Sequence, residues 1–203
     1  MKILLTSNKG IIREYIKENE TIGFIPTASE LDNDRWYMEK DREDLIKMKF
    51  NVIEIDISNL SKEEIIEKFN SVNAIFVAGG NCFYLLQQLK IKDVLQKLIE
   101  FSNSKIYIGS SAGACITCPS IKYLEKLDDK SQAPLLNNYK AMNLVDFYIL
   151  PHYKSKEKYT KLADEIESEY KKYKFIKLTN EQAIIIKNDN SYKVIETKWK
   201  IVC

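Results

Sequence analysis

Short apolar runs rich in β-branched residues alternate with longer amphipathic stretches along most of this chain. The apolar runs predict strands over 2–7, 21–29, 51–58, 73–80 and 105–109. The amphipathic stretches predict helices over 11–19, 34–50, 61–70, 82–91 and 92–103. Strands separated by helix-length segments are typical of βαβ units, which build a mostly parallel sheet with helices on both faces. We therefore predict an α/β fold, a three-layer sandwich around a mostly parallel sheet.

The last third of the chain has a different pattern. A predicted strand over 145–153 and a predicted helix over 158–173 are followed by three short strand-like segments, KFIKLT, QAIIIKND and SYKVIETKWKIV. This cluster predicts a small antiparallel extension at one edge of the sheet. The chain has 203 residues, which is enough for one sizeable core, and neither a repeat nor a linker interrupts it. We expect one domain over residues 1–203.

The charges of the chain argue against a polyanionic partner. Its 31 basic and 29 acidic residues are interspersed, which gives a net charge of +2 and no basic stripe. The first residues, MKILLTSNKG, contain too short an apolar run for a signal peptide, and no apolar segment of membrane-spanning length follows. We expect a cytoplasmic protein, a monomer or homodimer, that binds neither nucleic acid nor a membrane.

Residues 107–120, YIGSSAGACITCPS, place a serine at a tight strand-to-helix turn. Gly109 and Gly113 lie two residues either side of Ser111, which is the spacing of a nucleophile elbow. The glycines remove side chains that would collide with the neighbouring strand and helix. The Ser111 hydroxyl then lies beside the free N–H groups of the helix start, and the Ala112 N–H is the natural first donor to an oxyanion. The alternative is a small-residue turn that serves packing or anion binding alone.

A second oxyanion donor is expected from the loop Gly79-Gly80-Asn81, which joins a predicted strand to a predicted helix. Without side chains at positions 79 and 80, the backbone can approach a substrate carbonyl closely. We assign the second donor to Gly80, with Asn81 as the neighbouring alternative, and expect Gly79 and Asn81 to contact the substrate. The loop could instead cradle a phosphate, but it lacks both the Gly-Lys-Ser/Thr ending of a P-loop and the full G-x-G-x-x-G pattern.

A serine nucleophile needs a general base, and the chain contains one histidine, His152. His152 comes directly after a predicted strand, in LPHY, at the edge where the carboxyl ends of parallel strands and their loops collect ligands. A lone histidine is more often a packed or surface residue than a catalytic one. Its position at this edge favours a pairing with Ser111.

The four cysteines, Cys82, Cys115, Cys118 and Cys203, fit a reducing compartment. Cys115 and Cys118 have the spacing of a redox motif and of half a zinc knuckle, but the sequence supplies no matching set of further ligands. We interpret both as packing residues, with metal or redox chemistry as the alternative.

The chain resembles the peptidase E (aspartyl dipeptidase) family of serine peptidases, which is related to cyanophycinase, in three segments: FVAGGNCFYLLQQL, IGSSAGACITCPSI and VDFYILPHY. The likeness extends to KILLTS, FIPTAS and LTNEQAIII, so it covers nearly the whole chain. The resemblance implies an α/β sandwich similar to class I glutamine amidotransferases, a flavodoxin-like arrangement. It also implies a small peptide as substrate and no metal or organic cofactor.

The resemblance further implies Ser111 as nucleophile, His152 as base and the AGGN loop as part of the oxyanion hole. In the aspartyl dipeptidases an acidic residue follows the last long helix, and the matching place here is Asn180, with Glu181 beside it. We take Asn180 or Glu181 as the residue that orients the imidazole. Another acidic position proposed in that family matches KLDDK, which contains Asp128 and Asp129, and we take Asp129 as the further choice after Asn180 and Glu181.

Aspartyl specificity in the family that the chain resembles uses an arginine after the histidine, but no arginine follows Arg42 here. We expect a serine peptidase of the dipeptidase type that acts on a small peptide, Asp-X being one candidate, through an acyl-enzyme. One alternative is a non-catalytic paralogue that binds a small ligand in the same pocket. The other is glutamine amidotransferase-like chemistry, which normally uses cysteine at the elbow.

Overall fold

A computed structural model of the chain describes residues 3–6 and 12–196. Its strands are β1 (Ile3–Thr6), β2 (Thr21–Ile25), β3 (Asn51–Glu54), β4 (Ala74–Val77), β5 (Ile106–Ser110), β6 (Tyr148–Leu150), β7 (Phe175–Lys177), β8 (Gln182–Ile186) and β9 (Tyr192–Glu196). Seven of them form one sheet in the order β3-β2-β4-β5-β1-β8-β9. The first five in that order run parallel, whereas β8 and β9 pair antiparallel. The predicted parallel sheet with its antiparallel edge is confirmed.

Helices pack on both faces of this sheet. They are α1 (Trp36–Lys47), α2 (Lys62–Ser71), α3 (Cys82–Ile91), α4 (Leu95–Ser104), α5 (Ala112–Cys115) and α6 (Glu157–Glu169). Strand side chains alternate between two apolar clusters: on β4, Ile75 and Val77 join one, and Ala74 and Phe76 join the other. The first cluster includes buried residues of α2 to α6, and the second includes buried residues of α1. The sheet is therefore the middle layer of the predicted sandwich.

The sheet order brings three connecting segments to one edge. β4 lies between β2 and β5, and all three run parallel, so the residues after their carboxyl ends are neighbours. These residues are a 3₁₀ turn (Thr27–Ser29) after β2, the glycine loop 79–81 after β4 and Ser111 after β5. The fold therefore assembles the predicted site from segments far apart in sequence.

The strand before His152 does not join the seven-stranded sheet. The predicted strand over 145–153 is shortened to β6, which pairs in parallel with β7 in a separate two-stranded sheet. The expectation that the segment KFIKLT extends the antiparallel edge is therefore wrong. The place beside β1 belongs to β8, whose last four residues are buried, whereas every residue of β7 is only partly buried. The more apolar segment occupies the more buried position.

The helix predicted over 11–19 is replaced, in its described part, by a single 3₁₀ turn, Ile12–Glu14. Ile12 and Ile16 are buried, but the residues between them are not. A short segment with two buried anchors gains too little burial to stabilise a longer helix. Asn19, with a φ of 67°, then ends the segment two residues before β2.

The start of α2 shows the capping box that the sequence predicts. The Ser61 side chain accepts a hydrogen bond from the Glu64 backbone N–H, and the Glu64 side chain accepts one from the Ser61 N–H. In residues 3–6 and 12–196, no helix is both long enough and apolar enough to cross a membrane.

Candidate active site

Ser111 lies at the turn between β5 and the one-turn helix α5. Its backbone has a φ of 48° and a ψ of −106°, a conformation that a residue with a side chain rarely adopts. The Ser111 N–H donates to the Thr6 carbonyl oxygen at 2.9 Å, which continues the pairing between β5 and β1. This strained turn is the backbone geometry of a nucleophile elbow.

The two flanking glycines are required by close packing at this turn. A Cβ on Gly109 would lie 2.4 Å from the Gly113 carbonyl oxygen. A Cβ on Gly113 would lie 2.2 Å from the Val77 carbonyl oxygen and 2.8 Å from the Val77 Cβ, on the neighbouring strand β4. The spacing G-x-S-x-G therefore allows α5 to pack directly against the sheet.

Gly113→Ala is expected to lower the free energy of unfolding by about 1–3 kcal/mol or more, because the new methyl group meets backbone that cannot rotate away. Gly79→Ala is the control, since its Cβ would meet nothing closer than the Ser111 Cβ at 3.2 Å. Urea denaturation followed by circular dichroism measures both variants. Equal stability of Gly113→Ala and the wild type would show that α5 does not pack on β4 as described.

Ser111, His152 and Asn180 form a continuous hydrogen-bonded chain. The Ser111 Oγ lies 2.9 Å from His152 Nε2, and His152 Nδ1 lies 2.8 Å from Asn180 Oδ1. An amide oxygen accepts hydrogen bonds, so Nδ1 carries a proton and Nε2 is left to accept one from the serine hydroxyl. The arrangement places a base on the serine and an orienting group on the base.

The two-stranded sheet holds His152 and Asn180 together. Leu150 at the end of β6 pairs with Lys177 at the end of β7. His152 lies two residues after Leu150, and Asn180 lies three residues after Lys177. The buried Tyr123 hydroxyl donates to the Ile149 carbonyl oxygen at 2.7 Å and accepts from the Ile149 N–H at 3.2 Å. This side chain thereby satisfies both backbone groups of the middle residue of β6.

Two backbone N–H groups beside the serine are available to a ligand. Among the described residues, neither the Gly80 N–H nor the Ala112 N–H has a hydrogen-bond acceptor. Gly80 has a φ of 134°, and a Cβ there would lie 2.2 Å from the Ala28 carbonyl oxygen, so glycine is required. Gly79 packs against the serine, since a Cβ on it would lie 3.9 Å from the Ser111 Oγ.

The sequence profile of peptidase family S51 matches residues 4–194 of this chain, which includes every residue of the site described above. The chain belongs to peptidase family S51. It is therefore a peptidase, a hydrolase of peptide bonds.

Relatives of this S51 peptidase are similar over most of their length. An uncharacterized peptidase of Listeria innocua is 38% identical over 85% of this chain and 83% of its own length. One from Pasteurella multocida is 36% identical over 90% of this chain and 88% of its own. A candidate peptidase E from Listeria monocytogenes EGD-e, of known crystal structure, superposes with a TM-score of 0.87 at 34% identity and covers 97% of this chain and 98% of that one. The resemblance to peptidase E is confirmed.

Of the two residues expected to orient the imidazole, Asn180 forms the hydrogen bond with His152 Nδ1. Two other residues assigned from the sequence, Asp129 and Asn81, do not have the expected roles in the S51 site. Asp129 is exposed, and its carboxylate accepts from the Ser131 N–H at 2.9 Å. Asn81 caps α3: its Oδ1 accepts from the Phe83 and Tyr84 N–H groups, and its backbone N–H donates to the Ala28 carbonyl oxygen.

The amide group of the Asn81 side chain is also engaged, since it donates to the Asp129 carbonyl oxygen and to Gln132 Oε1. Neither the side chain nor the N–H of Asn81 is therefore free for a substrate. Local sequence could have indicated this, because Asn directly before a helix is a strong N-cap signal.

Asp128, the neighbour of Asp129, lies deeper in the site. Its Oδ2 accepts from the Cys82 N–H, at the start of α3, at 2.9 Å. Burial raises the pKa of the Asp128 carboxyl, and its hydrogen bonds from Cys82 and the nearby His152 act in the opposite direction. By contrast, hydrogen bonds from Ser131 lower the pKa of the exposed Asp129 carboxyl.

Ser111 and His152 open into a cleft of about 790 Å³. Gly79, Gly80, Ala112 and Asn180 also line it. Its outer walls come from the start of α1 and the start of α6, and contain Trp36, Tyr37 and Tyr159. The Tyr159 ring lies 5.6 Å from the His152 ring between centroids. Sequence reasoning missed these aromatic residues, although Trp36 and Tyr37 stand out in an otherwise charged stretch.

The cysteines nearest the site are packed side chains. Cys82, Cys115 and Cys118 are buried and free, while Cys203 lies outside the described residues. Burial raises the pKa of the Cys118 thiol to about 12 and those of Cys82 and Cys115 well above their usual value. Buried thiols that stay protonated are poor nucleophiles and poor metal ligands, which supports the packing interpretation.

Proposed function

We propose that this S51 peptidase is a serine peptidase that hydrolyses small peptides, of the dipeptidase type, through an acyl-enzyme. The observation that carries the proposal is the hydrogen-bonded chain from the Ser111 Oγ through His152 to Asn180, with distances of 2.9 and 2.8 Å. A hydroxyl on a strained elbow, a base within hydrogen-bonding distance and an orienting group on that base are the parts that nucleophilic catalysis needs.

The geometry supports the following steps. The Ser111 Oγ attacks the peptide carbonyl carbon while His152 Nε2 takes the hydroxyl proton. The Gly80 and Ala112 N–H groups, which have no acceptor among the described residues, donate to the developing oxyanion. His152 returns the proton to the leaving amine, and the C–N bond breaks. Water, deprotonated by His152, then hydrolyses the ester and restores Ser111.

Asn180 acts as a positioning residue in this proposal. Its Oδ1 accepts a hydrogen bond from the Nδ1–H of His152, but a neutral amide stabilises an imidazolium less than a carboxylate does. The neutral amide at position 180 also favours a second candidate function, a protein that keeps the pocket and binds a small ligand without turnover. Cytoplasmic location and the state of monomer or homodimer stay predictions.

Labelling with a small fluorophosphonate, read by intact mass, tests the proposal. We expect one adduct on Ser111 in the wild type and none in Ser111→Ala, and at least a hundredfold slower labelling in His152→Ala. Ser110→Ala is the matched control, because it removes the neighbouring hydroxyl and leaves Ser111. Well-folded wild type that takes no label would overturn the hydrolase proposal in favour of a binding protein.

A further inference from the structure

The walls of the cleft around Ser111 are strongly acidic. Among the described residues that line it, the carboxylates are Asp32, Asp41, Asp128 and Asp129, whereas Lys156 is the single Lys or Arg. The chain as a whole is nearly neutral, with 31 basic and 29 acidic residues. The excess of negative charge is therefore a property of this cleft.

Neutral donors, not cations, satisfy three of these carboxylates. Asp32 accepts from the Tyr37 hydroxyl, and Asp128 and Asp129 accept from backbone N–H groups. Within residues 3–6 and 12–196, no Lys or Arg forms an ion pair with any of the three. Arg35 is close enough to influence Tyr37 but does not line the cleft. The negative charge of the three carboxylates therefore acts on whatever enters.

Asp128 lines the cleft beside the start of α3, which directly follows the glycine loop 79–81. Its Oδ2 accepts a hydrogen bond from the Cys82 N–H. Cys82 is the second residue after Gly80, and the Gly80 N–H is a proposed oxyanion donor. Asp128 and His152 line the same cleft. Removal from water leaves this carboxylate poorly solvated, and a cation of the substrate would restore favourable electrostatic interactions.

The aromatic walls suit the same kind of ligand. Trp36 is 61% exposed although it lines the cleft, and Tyr37 and Tyr159 line it as well. The faces of Trp and Tyr rings attract organic cations, and their surfaces pack against aliphatic chains. A cleft with acidic residues and aromatic walls fits a lysine-like group, which has an apolar stem and a charged end.

We propose that this cleft selects peptides whose acyl residue carries an ammonium group on its side chain, as lysine does, with Asp128 as the specificity-determining residue. The inference rests on the proposed function. It predicts the opposite charge preference from Asp-X hydrolysis, which would place a carboxylate among the aspartates. Every unblocked dipeptide also carries an ammonium group at its N-terminus, so the experiment separates recognition of the side-chain cation from recognition of the N-terminus.

The experiment compares kcat/KM for Lys-Ala, norleucine-Ala, Asp-Ala and N-acetyl-Lys-Ala. Norleucine keeps the aliphatic stem without the charge. We expect the wild type to prefer Lys-Ala over Asp-Ala by at least a hundredfold. A preference of about tenfold or more for Lys-Ala over norleucine-Ala identifies the side chain as the recognised cation. A loss on acetylation without any preference for Lys-Ala over norleucine-Ala would show that only the N-terminus is recognised, and would overturn the inference.

Asp128→Asn is expected to lower the preference for Lys-Ala over norleucine-Ala about tenfold. Asp189→Asn is the matched control, since Asp189 also accepts a backbone N–H, from Ser191, in the turn between β8 and β9. An unchanged ratio in Asp128→Asn, or Asp-Ala as the best substrate of the wild type, would overturn the inference while fluorophosphonate labelling of Ser111 leaves the proposed function standing. Absence of label in the wild type would instead overturn the proposed function. The wild-type ratios decide the charge preference even where Asp128→Asn does not fold.

Discussion

Ser111→Ala is expected to lower kcat for the best dipeptide by roughly 10⁶-fold, and His152→Ala by a similar factor. The reason is that the two side chains act as one unit, joined by a contact of 2.9 Å. Without the hydroxyl no acyl-enzyme forms, and without the imidazole the hydroxyl keeps its proton. Release of free amino acid, measured by chromatography, gives the rates.

The double variant Ser111→Ala/His152→Ala is expected to be no slower than the slower single variant, because each change alone disables the same step. Circular dichroism shows whether each variant is folded, and Ser110→Ala serves as the control for a nearby hydroxyl loss. Additive losses in the double variant, or appreciable turnover by Ser111→Ala, would place the nucleophile at another residue.

Asn180→Asp is expected to raise kcat/KM by about tenfold or more. The upper limit is about 10⁴-fold, which is the loss caused by the reverse exchange, Asp to Asn, in the serine-protease triad. Asn180 Oδ1 lies 2.8 Å from His152 Nδ1, so a carboxylate oxygen can occupy the same position. A carboxylate fixes the tautomer, whereas an amide can turn its NH₂ toward the ring. It also stabilises the positive charge that the imidazole gains during the reaction.

The pH profile gives an independent readout of this change. Since a carboxylate favours the protonated imidazole, the acid limb of kcat/KM in Asn180→Asp is expected to move to higher pH than in the wild type. Glu181→Gln is the matched control, because it removes the charge of the neighbouring carboxylate and leaves Asn180 in place. A lower rate in Asn180→Asp together with a lower rate in Glu181→Gln would indicate that Glu181 orients the imidazole.

The elbow and its sheet could be predicted because their physical causes are local. The pattern around Ser111 contains small residues at the spacing that a strand-turn-helix junction needs, and Gly109 and Gly113 are in contact where a side chain would clash. The alternation of apolar strands with amphipathic helices defined the parallel sheet in the same way. His152 could be assigned because the chain has no second imidazole.

The parts that could not be predicted depend on competition between distant segments. β7 and β8 are both short strands, and the place beside β1 goes to the more apolar β8, whose last four residues are buried, whereas β7 is only partly buried. Likewise, Asn180 and Glu181 are adjacent, and a turn of exposed residues contains no periodic pattern that would distinguish the one facing His152. The aromatic side chains of the cleft lie at the starts of α1 and α6. Sequence periodicity does not predict in which direction the start of a helix points.

The side chains of the site come from two separate sheets. His152 and Asn180 follow register partners on β6 and β7, whereas Ser111 belongs to the seven-stranded sheet. A displacement of the small sheet therefore changes the distance from Ser111 to His152 and leaves the distance from His152 to Asn180 intact. The Tyr123 hydroxyl, bonded to both backbone groups of Ile149, resists that displacement. Mutations between the two sheets, away from the cleft, can thus change the distance between Ser111 and His152 without altering either side chain.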